Sequence, residues 1–317
     1  MPSIARFAVR SVPIIGALLA ALTLVGCSAV RLGYNNAPML SYWWLDGYFD
    51  FDGEQSLRIK ADLQTVQDWH RKEELPLLIQ SLKDLQAMAP KPVTAAQVCQ
   101  MVDALQVRIR LPLERVAPSI AAIAPTLQAA QIDHIARAFD KRDKKWREEW
   151  LDGTPGERTD RRVKQIVERA ESFYGTLEPA QIGVIRAHIE TSTFDGPRQQ
   201  KEMLRREQDS IQVLNSLRTT RVPPAQATAD IRSLLERTLK APDPAFRQYI
   251  EQITNESCTT MADLHNSSTS AQRVRLLKAL RDYEGDARAL FSQNPAAQPP
   301  QGASAPAPTA TATPALQ

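Results

Sequence analysis

The sequence predicts an all-α fold, and three observations support this prediction. From residue 37 to residue 292, apolar residues recur at the three- and four-residue spacing of amphipathic helices. No segment keeps the alternation of apolar and polar residues that is typical of a half-buried strand. Gly accounts for only 12 of the 317 residues and lies mostly between the periodic segments. We therefore predict a single all-helical domain over residues 37–292, a multi-helix array of antiparallel helical hairpins.

Breaks marked by Pro or Gly divide this domain into about eleven or twelve helices. The predicted helices cover residues 37–50, 53–72, 75–88, 94–110, 112–123, 128–151, 155–173, 178–192, 197–219, 223–240, 244–266 and 270–291. Several helix starts carry a capping box, in which a Thr or Asp N-cap is followed three residues later by Gln or Glu. These pairs are Asp52 with Gln55, Thr94 with Gln97, Thr154 with Glu157, and Thr269 with Gln272.

The N-terminus has the features of an export signal. Arg6 and Arg10 precede an uncharged apolar segment, residues 12–25, which is too short to cross a hydrocarbon core of roughly 30 Å as a helix. The segment ends in Leu-Val-Gly-Cys at residues 24–27, which resembles the lipobox of bacterial lipoproteins. The alternative is an ordinary secretory signal that leaves Cys27 as a free thiol.

The lipobox resemblance implies how the chain is processed and where it is located. Residues 1–26 would be removed as a lipoprotein signal peptide, and Cys27 would carry acyl chains, palmitate among them. Residues 27–36 would then form a lipidated tether. Ser28 follows the cysteine, and in the Gram-negative lipoproteins that the chain resembles, Ser at that position permits sorting to the outer membrane. We therefore expect a lipid-anchored protein on the periplasmic face of that membrane.

The charge balance argues against a nucleic-acid partner. The formal net charge is +3, and loss of Arg6 and Arg10 with the signal peptide would reduce it to +1. Binding to nucleic acid needs many cationic contacts with phosphates, and an export signal directs the chain away from the cytoplasm.

Two cysteines, Cys99 and Cys258, remain once Cys27 is assigned to the lipid anchor. The periplasm is oxidising, so these residues are candidates for one disulfide that links an early helix to a late one. The alternative is two unpaired thiols, since both cysteines lie on predicted helices and a disulfide requires close Cα atoms.

Residues 42–55, YWWLDGYFDFDGEQ, hold an unusual density of aromatic and acidic side chains. Apolar residues surround the predicted helix here, which is typical of burial or of contact with lipid. We predict core packing, with contact with the membrane surface as the alternative. The candidate residues for this core or interface are Tyr42, Trp43, Trp44, Tyr48 and Phe49.

The acidic residues of this stretch do not fit a calcium loop of the EF-hand type. Placing Asp50, Asp52 and Gly53 at loop positions 3, 5 and 6 puts Tyr48 at position 1 and Ile59 at position 12, where oxygen ligands are required. We interpret Asp52 as a helix N-cap. A pair of carboxylates for glycoside hydrolysis remains an alternative, because a sequence does not show carboxylate spacing across a cleft.

No other segment indicates a cofactor, a metal site or a catalytic centre. The four histidines, His70, His134, His188 and His265, lie on separate helices, and no Gly-rich phosphate loop, G-x-S-x-G or H-E-x-x-H motif occurs. We therefore predict no metal, no cofactor and no enzymatic activity.

The densest basic zone is either a solvated helical face or a patch for anionic lipid headgroups, lipopolysaccharide phosphates or cell wall. The candidate residues of this anionic-ligand patch are Lys141, Arg142, Lys144, Lys145, Arg147, Arg161 and Arg162.

An ordered series of motifs resembles a family of Gram-negative envelope lipoproteins known as a domain of unknown function. The motifs are LGYNNAP at 32–38, WWLDGYFDFDGEQ at 43–55, WHRKEELP at 69–76, EEWLDGTPGERTDRR at 148–162 and LEPAQ at 177–181. This resemblance implies an all-helical lipoprotein and carries no activity with it.

A weaker resemblance concerns helix starts such as VTAAQ at 93–97. They are similar to the LTxxQ motif of Spy/CpxP-type periplasmic chaperones, although the copies at 127–131, 177–181 and 222–226 replace the Thr. Capping alone is an alternative explanation of the motif.

The C-terminal segment, residues 293–317, is rich in Pro, Ala and Thr, and we predict a disordered tail. For the whole protein we expect a non-enzymatic binding or scaffold role in the envelope, with a chaperone-like activity as one form of it. The expected partners are the membrane, through Cys27, and unfolded or envelope proteins or the cell wall. A peptidoglycan-acting enzyme or a factor that binds lipid or lipopolysaccharide is the alternative.

Overall fold

The described part of the chain is all-α, which confirms the predicted fold class. The computed structural model describes the backbone of residues 25–293 and the side chains from residue 29 onward. Twelve α-helices lie in this range, with no strand among the described residues. They are α1 (Val25–Asn35), α2 (Ala37–Phe49), α3 (Gly53–Trp69), α4 (Leu75–Met88), α5 (Ala95–Ile123), α6 (Ala129–Trp150), α7 (Pro155–Tyr174), α8 (Pro179–Thr191), α9 (Gly196–Thr219), α10 (Pro224–Leu239), α11 (Pro244–Asn266) and α12 (Ser270–Ser292).

The predicted capping boxes are confirmed at all four helix starts. The side chain of Asp52 accepts a hydrogen bond from the Gln55 amide, and Gln55 in turn accepts one from the Asp52 amide. Thr94, Thr154 and Thr269 begin α5, α7 and α12 in the same way. These helix starts can be predicted from local sequence, because in each capping box the unpaired backbone amides bond to side chains only three residues away.

Helix α5 corrects the predicted break at residues 111–112. The structure has one helix from Ala95 to Ile123, with Pro112 and Pro118 inside it. Proline in a helix interior removes a backbone hydrogen bond, which is why the sequence indicated a break. The tertiary packing outweighs this cost, since Ala117 and Ala121 beyond Pro112 are buried in the largest core cluster.

Helices α3 and α4 also run on without a break. A single π-helical segment, His70–Glu74, joins them where the prediction placed a gap between residues 72 and 75. Glu74 of this segment is buried and accepts a hydrogen bond from Arg108 of α5 over 2.9 Å.

Two hydrophobic clusters show how α5 connects the body. The C-terminal half of α5 packs with α2, α3, α6, α9 and α10 around Ile135, Leu217 and Ile231. Its N-terminal half packs against α11 through Val98, and smaller clusters fill the spaces between α7 and α8 and between α4 and α12. In the middle of α5, the apolar side chains of Leu105, Val107 and Ile109 are exposed.

Pairs of buried glutamines join helix starts that are distant in sequence. Gln55 of α3 and Gln131 of α6 donate to each other's side-chain oxygens at 3.3 and 2.8 Å. Gln181 of α8 and Gln272 of α12 form the same reciprocal pair at 2.7 and 2.9 Å. Each amide also donates to a backbone carbonyl in the loop that precedes its partner's helix, such as Gln272 to Thr176. Each glutamine thus caps its own helix, and each pair joins two helix starts, those of α3 and α6 or those of α8 and α12.

None of the helices within residues 25–293 combines the length and the apolar character that crossing a bilayer requires. The predicted signal peptide, residues 1–26, lies almost wholly outside the described residues, and so does the predicted tail from residue 294 onward. The side chain of Cys27 also lies outside them.

Candidate membrane-facing surface

Helix α1, which covers most of the segment predicted to be a tether, packs against the helical body. Arg31 forms an ion pair with the buried Asp286 of α12 at 3.1 Å. The Tyr34 hydroxyl lies 2.9 Å from Nδ1 of His70, and Gln67 donates to the Tyr34 carbonyl. The described part of the chain is therefore fixed to the body from Arg31 onward.

Burial where α1 packs against the body, which we call the α1 joint, shifts three pKa values. It raises the pKa of Tyr34 to about 12 and lowers that of His70, so the pair is neutral and bonded at neutral pH. Burial also raises the pKa of Asp286, against the opposing effect of Arg31. The joint thus contains one ion pair and one neutral Tyr–His contact.

The predicted burial of Trp43 and Trp44 is wrong. Trp43 is 62% exposed and Trp44 is 63% exposed, whereas Tyr42 is 7% exposed. Tyr48 and Phe49 are partly buried. The aromatic residues of α2 therefore divide between a buried side and an exposed side.

Helix geometry explains this division. Tyr42, Leu45 and Phe49 follow one another at intervals of three and four residues and pack into the largest core cluster. Tyr42 is held there by a contact with the Ser56 hydroxyl over 2.9 Å and by stacking on Phe51. A helix of 13 residues that fills its buried side in this way leaves Trp43 on the opposite side.

The exposed side of α2 carries four large apolar residues, Met39, Leu40, Trp43 and Trp44, which we call the aromatic face. The face continues on α1, because Ala29, Leu32 and Asn36 are exposed at the intervals that lead to Leu40. One exposed stripe therefore runs along both N-terminal helices.

Helix α6 lies antiparallel beside α2. Gln131 donates to the carbonyls of Phe49 and Asp50, and farther along α6 His134 Nε2 lies 3.2 Å from the Gly47 carbonyl. Lys141 follows His134 by as many residues as Leu40 precedes Gly47. In the antiparallel register that this contact sets, Lys141 is therefore the counterpart of Leu40, since both helices rise by about 1.5 Å per residue.

The predicted basic patch separates into two groups. Arg142 pairs with Glu207, Arg161 donates to the carbonyls of Glu149 and Asp152, and Arg162 donates to Ser192. These three arginines are therefore structural. The exposed members that form no ion pair within the described residues are Lys141, Lys144, Lys145 and Arg147 of α6.

Lys141 and Lys145 lie on the stripe of α6 that faces α2. His134, Ala138, Lys141 and Lys145 follow one another at intervals of four, three and four residues. Since His134 contacts Gly47, the two lysines extend this stripe toward the N-terminal end of α2. In this register, the aromatic face and the two exposed lysines lie toward the same end of the α2–α6 pair.

Two of the four carboxylates in residues 42–55 have local structural roles. Asp52 caps α3, and Asp46 accepts a hydrogen bond from the Phe51 amide at 3.0 Å. Asp50 ends α2 in the left-handed region, with φ of 48°. Across residues 29–293, whose side chains the structure describes, no group of three or more His, Cys, Asp or Glu side chains is arranged to hold a metal ion.

A polar groove of about 500 Å³ lies between α8 and α11. Its His188 contacts Asp263 at 2.8 Å, while its Ser192 donates to Glu256 at 2.9 Å. Burial raises the pKa of Glu256, but hydrogen bonds from Thr193 and Ser192 outweigh this effect and lower it overall. The groove is open and polar, and its Ser192 is not bonded to His188.

The two remaining cysteines lie together in the structure. Cys99 Sγ of α5 and Cys258 Sγ of α11 form a disulfide, with Cα atoms 5.4 Å apart. Cys258 is 1% exposed and packs with Val98 and Ala262.

A family model matches residues 47–239, from the end of α2 to the last residue of α10, which is more than half of the chain. The chain belongs to this family. It is the family of unknown function DUF6279, so the predicted membership of an uncharacterised family is confirmed. The search of curated proteins and the search of solved structures found no match.

The match to DUF6279 begins after the aromatic face and ends before α11. It covers both partners of the Gln55–Gln131 pair but only one partner of the Gln181–Gln272 pair. The family match therefore covers most of the helical body, but it does not include α1 or the aromatic face of α2.

Sequence reasoning missed two features of this region. The contacts of Arg31 with Asp286 and of Tyr34 with His70 join residues far apart in the chain, and no local pattern indicates such pairs. The exposure of Trp43 did have a signal. Tyr42, Leu45 and Phe49 already provide a complete buried stripe, so the other side of α2 is free.

Proposed function

We propose that this chain is a lipoprotein of the Gram-negative outer membrane, anchored through Cys27, whose helical body faces the periplasm in a non-enzymatic binding or scaffold role. The observation that supports this proposal best is the short distance in sequence between the acylation site and the body. Arg31, four residues after Cys27, already pairs with Asp286. An acylated Cys27 would hold the body directly at the membrane.

The number of residues between Cys27 and Arg31 limits the distance between the membrane anchor and the body. Four residues reach at most about 14 Å when fully extended and about 6 Å in a helix. Both distances are small beside α5, whose 29 residues span about 44 Å as a helix. The short connection would therefore hold the body close to the membrane, and the surfaces around α1 and α2 would face the bilayer.

Processing and sorting provide the test. The protein extracted from membranes should have the intact mass of a chain that starts at an acylated Cys27, and it should band with the outer membrane on a density gradient. Ser28→Asp should shift it to the inner membrane, whereas the control Ser28→Ala should leave it in the outer membrane. An unacylated mass, or identical sorting of both variants, would contradict the proposal.

Exposed apolar residues on α5 favour chaperone-like binding as a second candidate. Leu105, Val107 and Ile109 are 43%, 59% and 65% exposed in the part of α5 between its two packed halves. Leu105 and Ile109 lie one turn apart on one side of α5 and Val107 lies on the opposite side, so apolar surface is exposed around this part of the helix. Exposed apolar surface of this kind is typical of interaction sites. Purified protein should then suppress aggregation of a denatured substrate at near-stoichiometric ratio. Changing the three residues to Ser should abolish the suppression, and absence of suppression by the native protein would end this candidate.

A further inference from the structure

We propose that the aromatic face of α2, with Lys141 and Lys145 of α6 beside it, docks on the surface of a phospholipid bilayer that contains anionic headgroups. The docking would fix the orientation of the body on the membrane. This inference rests on the proposed anchoring through Cys27, and it identifies the surface that the anchored body presents to lipid.

The composition of the aromatic face fits the interfacial region of a bilayer. Trp43 and Trp44 combine a large apolar ring with an N–H donor, which is why Trp is enriched where hydrocarbon meets the headgroups. Leu40 and Met39 add apolar area that reaches below the headgroups. Water is a poor environment for four such side chains on one short helix.

The position of the face relative to the anchor favours lipid over a soluble partner. Trp43 follows Cys27 by sixteen residues, and helices α1 and α2 are separated only by Asn36. At about 1.5 Å per residue, the face lies within roughly 24 Å of the anchor along the chain. The exposed stripe of Ala29, Leu32 and Asn36 fills the interval, so contact can run from the anchor to Trp43.

Charge complementarity supplies an independent argument. In the antiparallel register set by the contact of His134 with Gly47, Lys141 is the counterpart of Leu40, and Lys145 lies one helical turn farther along the same stripe of α6. Long lysine side chains beside an apolar interfacial helix extend to the lipid phosphates. Because neither lysine forms an ion pair within the described residues, both ammonium groups are available to such phosphates.

The lipidated full-length mature protein, reconstituted in vesicles of phosphatidylethanolamine and phosphatidylglycerol, provides the test. Phospholipids brominated in the upper part of the acyl chains should quench its Trp fluorescence. Quenching should be largely lost in the double variant Trp43→Phe/Trp44→Phe and retained in Trp146→Phe/Trp150→Phe, which removes the stacked pair at the C-terminal end of α6, where Trp150 packs on Phe194. Without phosphatidylglycerol, or after Lys141→Gln/Lys145→Gln, the quenching should weaken.

The controls separate this inference from the anchoring proposal. Val274→Ser changes an equally exposed apolar residue on α12, and Lys240→Gln removes an exposed lysine of similar type, so neither should alter the quenching. Protein that stays on the vesicles without quenching of Trp43 and Trp44 would overturn the docking surface and leave the anchor in place. Protein that does not associate with vesicles at all would overturn the anchoring proposal and the inference together.

Discussion

The side chains of Trp43 and Tyr42 are neighbours in sequence but differ in what they contact. Tyr42 is fixed by Ser56 and Phe51 in the core, whereas Trp43 extends from the opposite side of α2. The composition of residues 42–55 indicates that an aromatic helix exists. It does not indicate which residues are buried, because that depends on where α3 and α6 pack.

The capping glutamines show the same limit at single residues. Gln97 and Gln272 occupy identical local motifs, Thr followed three residues later by Gln, and both boxes were predictable from spacing alone. Only Gln272 is buried and paired with another glutamine, Gln181, which is 91 residues away. That pairing depends on the tertiary fold, which local sequence does not encode.

The two glutamines therefore give a matched prediction. Gln272→Ala should lower the free energy of unfolding by about 2–3 kcal/mol, because the buried Gln181 amide and the Thr176 carbonyl each lose a hydrogen-bond partner. Gln97→Ala at an exposed start should cost about 1 kcal/mol or less. Urea denaturation of both variants measures the difference, and equal losses would show that the buried pair adds nothing beyond capping.

The buried histidine of α11, His265, gives a prediction about pH. The Tyr174 hydroxyl lies 2.8 Å from its Nδ1 and the Lys91 carbonyl 2.9 Å from its Nε2. Burial lowers the pKa of His265, and the nearby charge of Arg273 lowers it further, while the hydrogen bond to Lys91 opposes both. The unfolded chain should therefore take up more protons than the folded one as the pH falls through about 6.5.

The stability that the neutral form of His265 contributes should thus be fully present above about pH 6.5 and be lost as the pH falls below it. His70, whose pKa burial also lowers, contributes in the same direction. In His265→Gln, the melting temperature should decrease less between pH 7 and pH 5 than in the native protein. A native melting temperature that rises over this interval, or an unchanged slope in the variant, would contradict the assignment.

At the scale of the helices, α5 is where sequence rules and packing disagree. Pro112 indicates a break, yet the helix continues because its C-terminal half is buried between α3, α10 and the start of α6. The same helix is joined to α11 by the Cys99–Cys258 disulfide. Its two ends are therefore fixed to different parts of the body, and a break between them would separate the two clusters.

The cost of proline in α5 should be measurable at Pro118, whose side chain is exposed. Pro118→Ala should raise the free energy of unfolding by about 1–3 kcal/mol, because it restores a helical hydrogen bond without removing buried contacts. Pro244→Ala, at the first position of α11, is the control and should change stability by less than about 0.5 kcal/mol. If both variants behave alike under urea denaturation, α5 tolerates proline for a reason other than packing.

For the whole molecule, the sequence predicted the all-α class and most helix boundaries, because helix periodicity and capping are local. The arrangement of the hairpins was not predictable, since it depends on contacts such as Gln55 with Gln131 and Arg31 with Asp286. The second contact supports the proposed function. It fixes to the body the segment predicted to be a tether, so that an acylated Cys27 would hold the body at the bilayer.

The most direct test of this account maps the lipid-facing surface of the whole protein. The lipidated mature chain, in vesicles that contain a photoactivatable phospholipid, is irradiated, and the cross-linked residues are identified by mass spectrometry. We predict cross-links on residues 29–44 and on the exposed lysines of α6, and none in the polar groove between α8 and α11. Cross-links confined to the first residues after Cys27, or concentrated on α8 and α11, would show that the body does not lie on the membrane through its N-terminal helices.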